Sequence, residues 1–445
     1  MSRASHIAWV FMVAALRGGL HLGRVRRREA LACELREALQ HLGPAFIKIG
    51  QLISVRPDLF GPELIFEMEK LQDSVDALPA TAIRAVIEGE FGRPVDELFS
   101  RFQDVPLASA SIAQVHRAVL REPYRPVVGD EIPAGAAVAI KVVRPKVEER
   151  IRLDLEAARP MVARLSRIRT FARLGLSGLL DEFAASLHSE CDLRIEGRVA
   201  DRFAFDFRDD SLVVVPRVLW PLTSRRVMTA EFVEGWRLSE LDAAARAGID
   251  GRALAVHGAE VFLRQVLELG RFHADLHPAN IFVTPDGRIC YLDFGIIGRT
   301  EPAQRVAIAH VLAATVYGDA DRALRYSAEL GLVVPPERED RVREGIAGLM
   351  RSTLGDTPRD VRAFATGFLR LMADEEIDVP VGYGLLVKAL VTVEGVARAL
   401  YPDIDITEAS KAYATRLIAR EMLSPRRVAE RAPEALRAAL RVLAR

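Results

Sequence analysis

Apolar residues recur at spacings of three and four along the first part of the chain, which is the period of an amphipathic helix. This pattern predicts helices over residues 29–75 and 80–92. Pro44, Pro57 and Pro62 divide the first of these stretches, because proline interrupts a helix or begins a new one. The sequence therefore predicts a helical region of several short helices.

The period changes between about residues 97 and 143, where β-branched residues become frequent. The segments 112–120 and 137–143 predict strands. Between them, residues 122–136 contain three prolines and two glycines, which predicts a loop. A small β-rich section is therefore expected after the helices.

Helical periodicity returns afterwards and dominates the remainder of the chain. We predict a long helix over 178–205, short strands at 212–216 and 226–232, a helix over 251–270, and helices beyond 301 with breaks near Pro335-Pro336 and Pro380. This order of helices, a small β section and a large helical section indicates an α+β fold with segregated layers.

Composition narrows the function classes. The 445 residues exceed one compact domain, so two lobes or two domains are expected. Acidic and basic residues balance at 61 each, whereas nucleic-acid-binding proteins carry a basic excess, so we expect no nucleic-acid partner. The three cysteines, Cys33, Cys191 and Cys290, follow no metal-binding spacing and are interpreted as reduced thiols in a cytosolic-type compartment.

Residues 6–16 form an apolar run that Arg17 interrupts, which is too short for a transmembrane helix. Arginines cluster just after it, at Arg24 and at 26–28. Three alternatives stay open: a signal peptide, a helix lying on an anionic membrane surface, and a helix packed on the body of the protein.

The candidate chemistry lies between residues 272 and 295. Asp275 and Asn280 are five residues apart, as in the protein-kinase catalytic loop, and Asp293-Phe294-Gly295 follows a short predicted strand. Asp293 and Asn280 are candidate Mg²⁺ ligands, and Asp275 is a candidate for orienting or deprotonating an acceptor. Each motif alone also fits an ordinary turn or loop, but their order and spacing together favour a kinase-like ATP site.

Lys141, in the strand pattern Val-Ala-Ile-Lys, completes the expected phosphate-binding set. Only six lysines occur among the 61 basic residues, so the other 61 − 6 = 55 are arginines and a lysine at this position is conspicuous. In place of a glycine-rich loop stands an alanine-rich loop, whose Cβ atoms exclude the φ > 0 conformations of glycine. This loop is either a stiff nucleotide lid or a simple turn, and its candidate residues are Ala108, Ser109, Ala110 and Ser111.

At these residues the chain resembles the UbiB/AarF family of atypical, protein-kinase-like proteins, and the likeness covers about residues 38–407. It is carried by the motif Lys48-Ile-Gly-Gln51, the alanine-rich loop running into Gln114-Val-His116, Val138-Ala-Ile-Lys141, Arg144-Pro145, Glu190-Cys-Asp192, His273-Ala-Asp275, Asn280, Asp293-Phe-Gly295 and Glu394-Gly-Val. Departures are Ser109 within the alanine-rich loop, Ala279 in place of glycine, and Gly197 and Val199 after Glu196.

The resemblance implies a protein-kinase-like two-lobe fold with an N-terminal helical extension across the acceptor side of the cleft. It predicts an extension over 1–95, an N-lobe over 96–232, a C-lobe over 233–345 and a C-terminal helical region over 346–445. Lys48 and Gln51 are expected in the nucleotide site, held by Glu190 and Asp192. Among the acids of the predicted helix over 178–205, Glu182, Glu190, Asp192 and Glu196, the resemblance favours Glu196 as the partner of Lys141. Glu231 and Val233 complete the predicted nucleotide-binding set.

The resemblance also implies function: a Mg²⁺-dependent ATPase or unorthodox kinase that binds ATP or ADP and supports ubiquinone (isoprenoid-quinone) biosynthesis or lipid homeostasis. Expected partners are the nucleotide, membrane lipid or a quinone precursor, and quinone-biosynthesis enzymes, with a homodimer left open. The expected location is cytoplasmic, peripheral on the inner face of the cell membrane. Two alternatives remain, a small-molecule phosphotransferase of the aminoglycoside or choline kinase type and a non-catalytic nucleotide-gated scaffold.

Overall fold

The computed structural model describes residues 3–19, 24–54, 56, 60–71, 75–126, 130–168, 176–240, 248–274, 276, 280–355, 359–405, 413 and 415. The chain forms two compact units, the first drawn from Met1–Ile249 and Pro278–Gly295, the second from Asp250–His277 and Ile296–Arg445. Each unit has a hydrophobic core of its own.

The first unit begins with helices that pack around an apolar core. The helices of this unit are α1 (Arg3–Gly19), α2 (Arg24–Leu42), α3 (Pro44–Ser54), α4 (Pro62–Glu69), α5 (Ala80–Phe91), α6 (Val95–Leu98), α7 (Val147–Leu165), α8 (Leu176–Glu190) and α9 (Leu193–Asp206). Pro44 and Pro62 are the first residues of α3 and α4, a position where proline costs no helical hydrogen bond. They divide the helical region as predicted, whereas Pro57 lies outside the described residues.

Helices α1 and α2 pack closely because Gly18 lies against Leu31. A Cβ on Gly18 would come within 2.6 Å of the Leu31 side chain. Ile7, Val10 and Ala14 bury one face of α1 in the core of this helical region. The N-terminal apolar run is therefore a helix packed on the first unit, as one of the three alternatives predicted.

A sheet follows these helices. Its strands are β1 (Phe99–Phe102), β2 (Ala108–Ser109), β3 (Ala113–Leu120), β4 (Ala137–Val143) and β6 (Val227–Glu231), in the order β1-β3-β4-β6 with β2 paired to β3. The predicted strands over 112–120, 137–143 and 226–232 are confirmed. Val138, Ile140 and Val142 are fully buried against α5 and α6, which leaves the alternate positions of β4 on the other face.

The helix predicted over 178–205 is wrong in one respect, because the structure breaks it into α8 and α9 at Cys191-Asp192. The Asp192 carboxylate accepts a hydrogen bond from the Arg194 N–H at 3.2 Å and caps α9. The Leu193 N–H bonds instead to the Arg225 carbonyl oxygen at 2.9 Å. The apolar periodicity continues through this point, but the hydrogen bond from the Arg194 N–H to the Asp192 side chain starts a new helix there. The Glu-x-Asp motif, residues 190–192, is therefore a helix boundary.

A second, smaller sheet in the first unit carries the metal-site candidates. It contains β5 (Val213–Val214), β7 (Trp236–Arg237), β9 (Ile281–Val283) and β10 (Ile289–Tyr291), in the order β5-β10-β9-β7. Strands β9 and β10 form an antiparallel hairpin in which Ile281 pairs with Tyr291. Three-residue turns of 3₁₀ helix occur at Trp220–Leu222 and Leu238–Glu240.

The described part of the second unit is mostly helical. It contains α10 (Gly251–Arg264), a π-helical turn (Gln265–Leu269), β8 (Arg271–His273), β11 (Ile297–Arg299), α11 (Pro302–Tyr317), α12 (Ala320–Glu329), α13 (Pro336–Leu354), α14 (Val361–Asp374) and α15 (Val381–Leu400). Strands β8 and β11 pair antiparallel. The predicted helix over 251–270 is confirmed, as are the segregated α+β class and, up to Leu400, the helices predicted beyond 301.

All three cysteines carry free thiols. Cys191 and Cys290 are buried, and burial raises the pKa of each thiol to about 12. Only the thiolate is nucleophilic, so these two side chains behave as small apolar groups. Among the described residues, no helix combines the length and the apolar content that crossing a bilayer requires.

Candidate functional site

Lys141 is at the centre of a charged cluster in the first unit. Strand β4 places its side chain on the face opposite the apolar core, where Nζ donates to both carboxylate oxygens of Glu196 at 2.7 and 2.8 Å. The same Nζ lies 3.5 Å from Oδ2 of Asp293. The predicted contact between Lys141 and Glu196 is present, and Asp293 joins it.

The electrostatics of this cluster keep the lysine charged. Burial alone would lower the pKa of Lys141, but the negative charges of Asp293 and Glu196 raise it well above its ordinary value. One ammonium between two carboxylates leaves a formal excess of one negative charge. A cluster with this excess attracts a cation.

Asn280 and Asp293 are brought together by the β9–β10 hairpin. The Leu292 N–H donates to the Asn280 carbonyl oxygen at 3.0 Å, so the residue that precedes β9 and the residue that follows β10 lie side by side. Asp293 Oδ1 accepts from the Gly295 N–H at 2.8 Å, which fixes the carboxylate. Carboxylate and amide oxygens are ligands that Mg²⁺ prefers, so the donor groups of Asp293 and Asn280 are chemically suited to a magnesium ion. Asp275, the predicted acceptor-orienting residue, lies outside the described residues, as does Ala279.

Lys48 reaches the Glu-x-Asp motif from the N-terminal helices. It is on α3, and its Nζ lies 3.1 Å from Oε2 of Glu190, the last residue of α8. Lys48 is also close enough for its charge to act on the Glu196 carboxylate. The helical extension thus contributes a lysine beside the Lys141 cluster.

Gln51 and Asp192 do not take the predicted positions. The Gln51 amide donates to the Leu71 carbonyl oxygen at 3.5 Å, inside the helical extension. Asp192 caps α9 and forms an ion pair with Arg194 at 2.7 Å, and this arginine lowers the pKa of the carboxyl group. Asp192 was expected to hold Lys48 and Gln51; it instead organises the start of the helix that carries Glu196.

Replacing Lys48 with methionine should destabilise the first unit. The substitution keeps the apolar stem but removes the ammonium beside the largely buried Glu190 carboxylate. We expect the free energy of unfolding to fall by about 1–3 kcal/mol, measured by urea denaturation. Adding Glu190→Gln should recover most of that loss. Equal stability of wild type and Lys48→Met would show that the pair contributes nothing.

The alanine-rich loop forms a tight hairpin with β3. Ala108 pairs with Val115 and Ser109 with Gln114, and the Ala110 N–H bonds to the Ala113 carbonyl oxygen at 2.9 Å. Ser111 is buried. None of its four residues, all of them described, has a positive φ, in agreement with the expectation for a loop without glycine. Its role as a nucleotide lid stays a prediction.

Glu231 turns its carboxylate away from Lys141. It pairs with Val138 across the sheet, and directly opposed residues project to the same face, which here is the buried face. Its Oε2 binds Nε of Arg217 at 2.7 Å. Any contact that this residue makes with a nucleotide on the Lys141 face must therefore come from its main chain. Glu231 and Val233 line a separate open cavity of about 780 Å³ that Lys141 does not reach.

Sequence reasoning assigned no role to Arg144 or Gln114, although both belong to quoted motifs. The Arg144 guanidinium binds Ser109 Oγ at 3.3 Å and the Asp76 carbonyl oxygen. Gln114 is fully buried, and its side-chain amide both accepts a hydrogen bond from the Leu78 N–H and donates one to the Leu78 carbonyl oxygen. For Gln114 the available signal was a polar residue at an alternate, core-facing position of a predicted strand, whereas Arg144 follows the predicted strand over 137–143 and had no such signal.

The fold and the Lys141–Glu196–Asp293 cluster define a kinase-like protein. The chain matches the ABC1 atypical kinase-like domain over residues 70–327 and the UbiB helical domain over residues 363–405. It therefore belongs to the ABC1/UbiB atypical kinase-like family, and the predicted family and the kinase-like fold with a helical C-terminal region are confirmed.

Similar proteins come from bacteria and plants. An uncharacterized protein of Synechocystis sp. is 34% identical over 93% of this chain and 72% of its own length. Protein ACTIVITY OF BC1 COMPLEX KINASE 7, chloroplastic, of Arabidopsis thaliana is 32% identical over 88% of this chain and 55% of its own length. The probable protein kinase UbiB of Marinobacter nauticus is 33% identical over 84% of this chain and 67% of its own length. Across the curated relatives compared, the chain spans 53% to 72% of their length.

A solved structure shares the fold. The complex of Rv3197 with erythromycin from Mycobacterium tuberculosis superposes with a TM-score of 0.54 at 24% sequence identity, covering 77% of this chain and 83% of that chain. At this identity the likeness is one of fold.

Proposed function

We propose that this protein is a Mg²⁺-dependent atypical kinase or ATPase that binds ATP or ADP and supports isoprenoid-quinone biosynthesis or lipid homeostasis. The observation that carries the proposal is the Lys141–Glu196–Asp293 cluster, with Asn280 beside it on the β9–β10 hairpin. A kinase-like site needs a phosphate-binding cation, an acid that orients it and oxygen ligands for the metal. The described residues supply all three kinds of group.

Lys141 is the residue that would bind the nucleotide phosphates. Glu196 fixes its ammonium through two hydrogen bonds, which lowers the entropy lost when a phosphate binds. Asn280 and Asp293 would hold Mg²⁺, which neutralises charge on the phosphates when it is bound. In a transfer reaction, Asp275 would orient the acceptor.

The position of Lys48 disfavours a peptide as the phosphoryl acceptor at this site. In a protein kinase the acceptor side of the cleft is open, whereas here α3 directs Lys48 to Glu190 close to the charged cluster. A lysine in this position suits water or a small acceptor better than a protein segment. This favours ATP hydrolysis or an unorthodox transfer over protein phosphorylation.

Contact with a membrane surface is supported by α1. Its inner face is buried, but Trp9, Met12 and Leu16 on its outer face are each at least 50% exposed. Residues 1–28 contain six arginines and no acidic residue. Exposed apolar side chains within a basic segment suit the headgroup region of an anionic bilayer. We therefore propose peripheral membrane contact through this helix.

The biological role is tested by the isoprenoid-quinone profile of a strain that lacks the gene. We expect depleted quinone and accumulated precursor, restored by the wild-type gene. The biochemical role is tested separately with the intact protein and anionic vesicles. A protein that shows neither ATP or ADP binding nor Mg²⁺-dependent turnover there would contradict the proposed activity whatever the quinone profile shows.

A further inference from the structure

A short segment that precedes the kinase-like sheet runs along the alanine-rich loop. We name residues 75–78 the strap and residues 106–111 the lid loop. The Val75 N–H donates to the Ser109 carbonyl oxygen at 3.2 Å, as a neighbouring strand would. Arg144 binds the Asp76 carbonyl oxygen of the strap and the Ser109 hydroxyl of the lid loop. The strap therefore holds the lid loop along one edge.

Gln114 joins strap and lid loop from inside the sheet. Its side chain is fully buried, its Oε1 accepts from the Leu78 N–H at 2.9 Å, and its Nε2 donates to the Leu78 carbonyl oxygen at 3.2 Å. The Ser109 hydroxyl also reaches Oε1, at 3.4 Å. One amide thus pairs in both directions with the strap while its own main chain pairs with the lid loop.

His116 fixes the orientation of this amide. Gln114 Nε2 lies 2.9 Å from His116 Nε2, and because the amide nitrogen donates, the ring nitrogen accepts. The proton is then on Nδ1, which donates to the Gln103 carbonyl oxygen at 2.8 Å. Burial lowers the pKa of His116, in keeping with a neutral ring, and Phe102 stacks on it. A flipped amide would lose both bonds to Leu78.

The strap is also connected to the helical extension. Gln51 on α3 donates to the Leu71 carbonyl oxygen, four residues before the strap begins. Leu71 and Val75 are four positions apart along the chain, so α3 is linked covalently to the strap and, through the Gln114 amide, to the lid loop. The buried Gln114 amide transmits a shift of Leu78 because its hydrogen bonds leave it few alternative arrangements.

We propose that Gln114 is a positioning residue that couples the strap to the lid loop, so that nucleotide binding and the N-terminal extension respond to each other. The coupling to nucleotide rests on the proposed function. Gln114 acts through the main chain of the lid loop and is not itself a nucleotide ligand.

The test compares Gln114→Ala with Thr229→Val by amide hydrogen exchange and nucleotide titration. Thr229 is an equally buried polar residue of the same sheet, and its hydroxyl bonds to the Leu222 carbonyl oxygen at 2.7 Å, away from the strap. Without nucleotide, Gln114→Ala should speed exchange of the Leu78 amide about tenfold relative to Thr229→Val, since one buried hydrogen bond is lost. Ser109→Ala serves as a milder variant if Gln114→Ala fails to fold, with a smaller change in the same direction.

With MgADP, wild type and Thr229→Val should show slower exchange at both the lid loop and the Val75 and Leu78 amides. Gln114→Ala should keep protection in the lid loop, lose it in the strap, and bind MgADP about fivefold more weakly. Equal exchange of Leu78 in the two variants, or strap exchange in wild type that ignores MgADP, overturns the coupling. If wild type binds no MgADP, the proposed function fails, and the exchange of Leu78 without nucleotide still decides whether Gln114 fastens the strap.

Discussion

Replacing Lys141 with methionine is expected to abolish nucleotide binding and to lower the free energy of unfolding by about 3 kcal/mol. The methionine keeps the apolar stem but leaves two carboxylates facing each other without their ammonium. Glu196 is only 11% exposed at its side chain, so its charge is poorly solvated once Lys141 is gone. Urea denaturation and titration with a fluorescent ADP analogue measure the two losses.

The double variant Lys141→Met with Glu196→Leu separates the two effects. Removing both charges of a buried pair and filling the space with apolar side chains often restores stability, so the double variant should recover most of the lost unfolding free energy. It should remain unable to bind nucleotide, because the phosphate-binding cation is still absent. Nucleotide binding by either variant would show that Lys141 is only a structural partner of Glu196.

Replacing Asp293 with asparagine should lower Mg²⁺-dependent turnover at least about 100-fold while changing stability little. The asparagine oxygen still accepts from the Gly295 N–H, so the turn after β10 is preserved. The charge that favours a divalent cation is lost. Steady-state phosphate release as a function of Mg²⁺ concentration measures the effect.

Asp286→Asn is the matched control for this variant. Asp286 lies in the turn of the same hairpin and pairs with Arg288 rather than with the charged cluster. It should turn over like wild type. Asp293→Asn also distinguishes an enzyme from a nucleotide-gated scaffold: full rescue of quinone levels by a variant that binds nucleotide without turnover would favour the scaffold, and loss of rescue would favour catalysis.

Much of the fold follows from local sequence patterns. The strands predicted over 112–120 and 137–143 were predictable because these segments are rich in β-branched residues, and Pro44 and Pro62 marked where helices begin. The division of one predicted helix into α8 and α9 could not be predicted, because the apolar periodicity continues through Cys191. The Asp192 side chain caps α9 and so interrupts the helix. Apolar periodicity does not reveal whether a side chain will hydrogen-bond to the main chain and start a new helix.

The residue types of the site and two of its ion pairs, Lys141 with Glu196 and Lys48 with Glu190, could be predicted. Lys141 with Glu196 came from motif order together with the family resemblance, and the structure shows both hydrogen bonds. Asp192 was assigned to the wrong partner because a motif gives spacing but no side-chain direction. Glu231 was placed in the nucleotide set without its face of the sheet, which only the pairing with Val138 reveals.

The hydrogen-bond network of Gln114 could not be predicted from the sequence. Its partners are main-chain atoms of Leu78 and Gln103 and the ring of His116, brought together by the sheet rather than by any spacing along the chain. Main-chain partners have no side-chain signature, so sequence alone indicates only that a polar residue occupies a strand position.

Equilibrium binding of ADP to the intact protein, measured by titration calorimetry with Mg²⁺ and again with excess EDTA, tests the central claim most directly. We predict one site per chain that tightens at least about tenfold with Mg²⁺ in wild type, loses that metal dependence in Asp293→Asn and disappears in the double variant of Lys141 and Glu196. No binding by wild type, or equal affinity with Mg²⁺ and with EDTA, would contradict a kinase-like nucleotide site at this cluster.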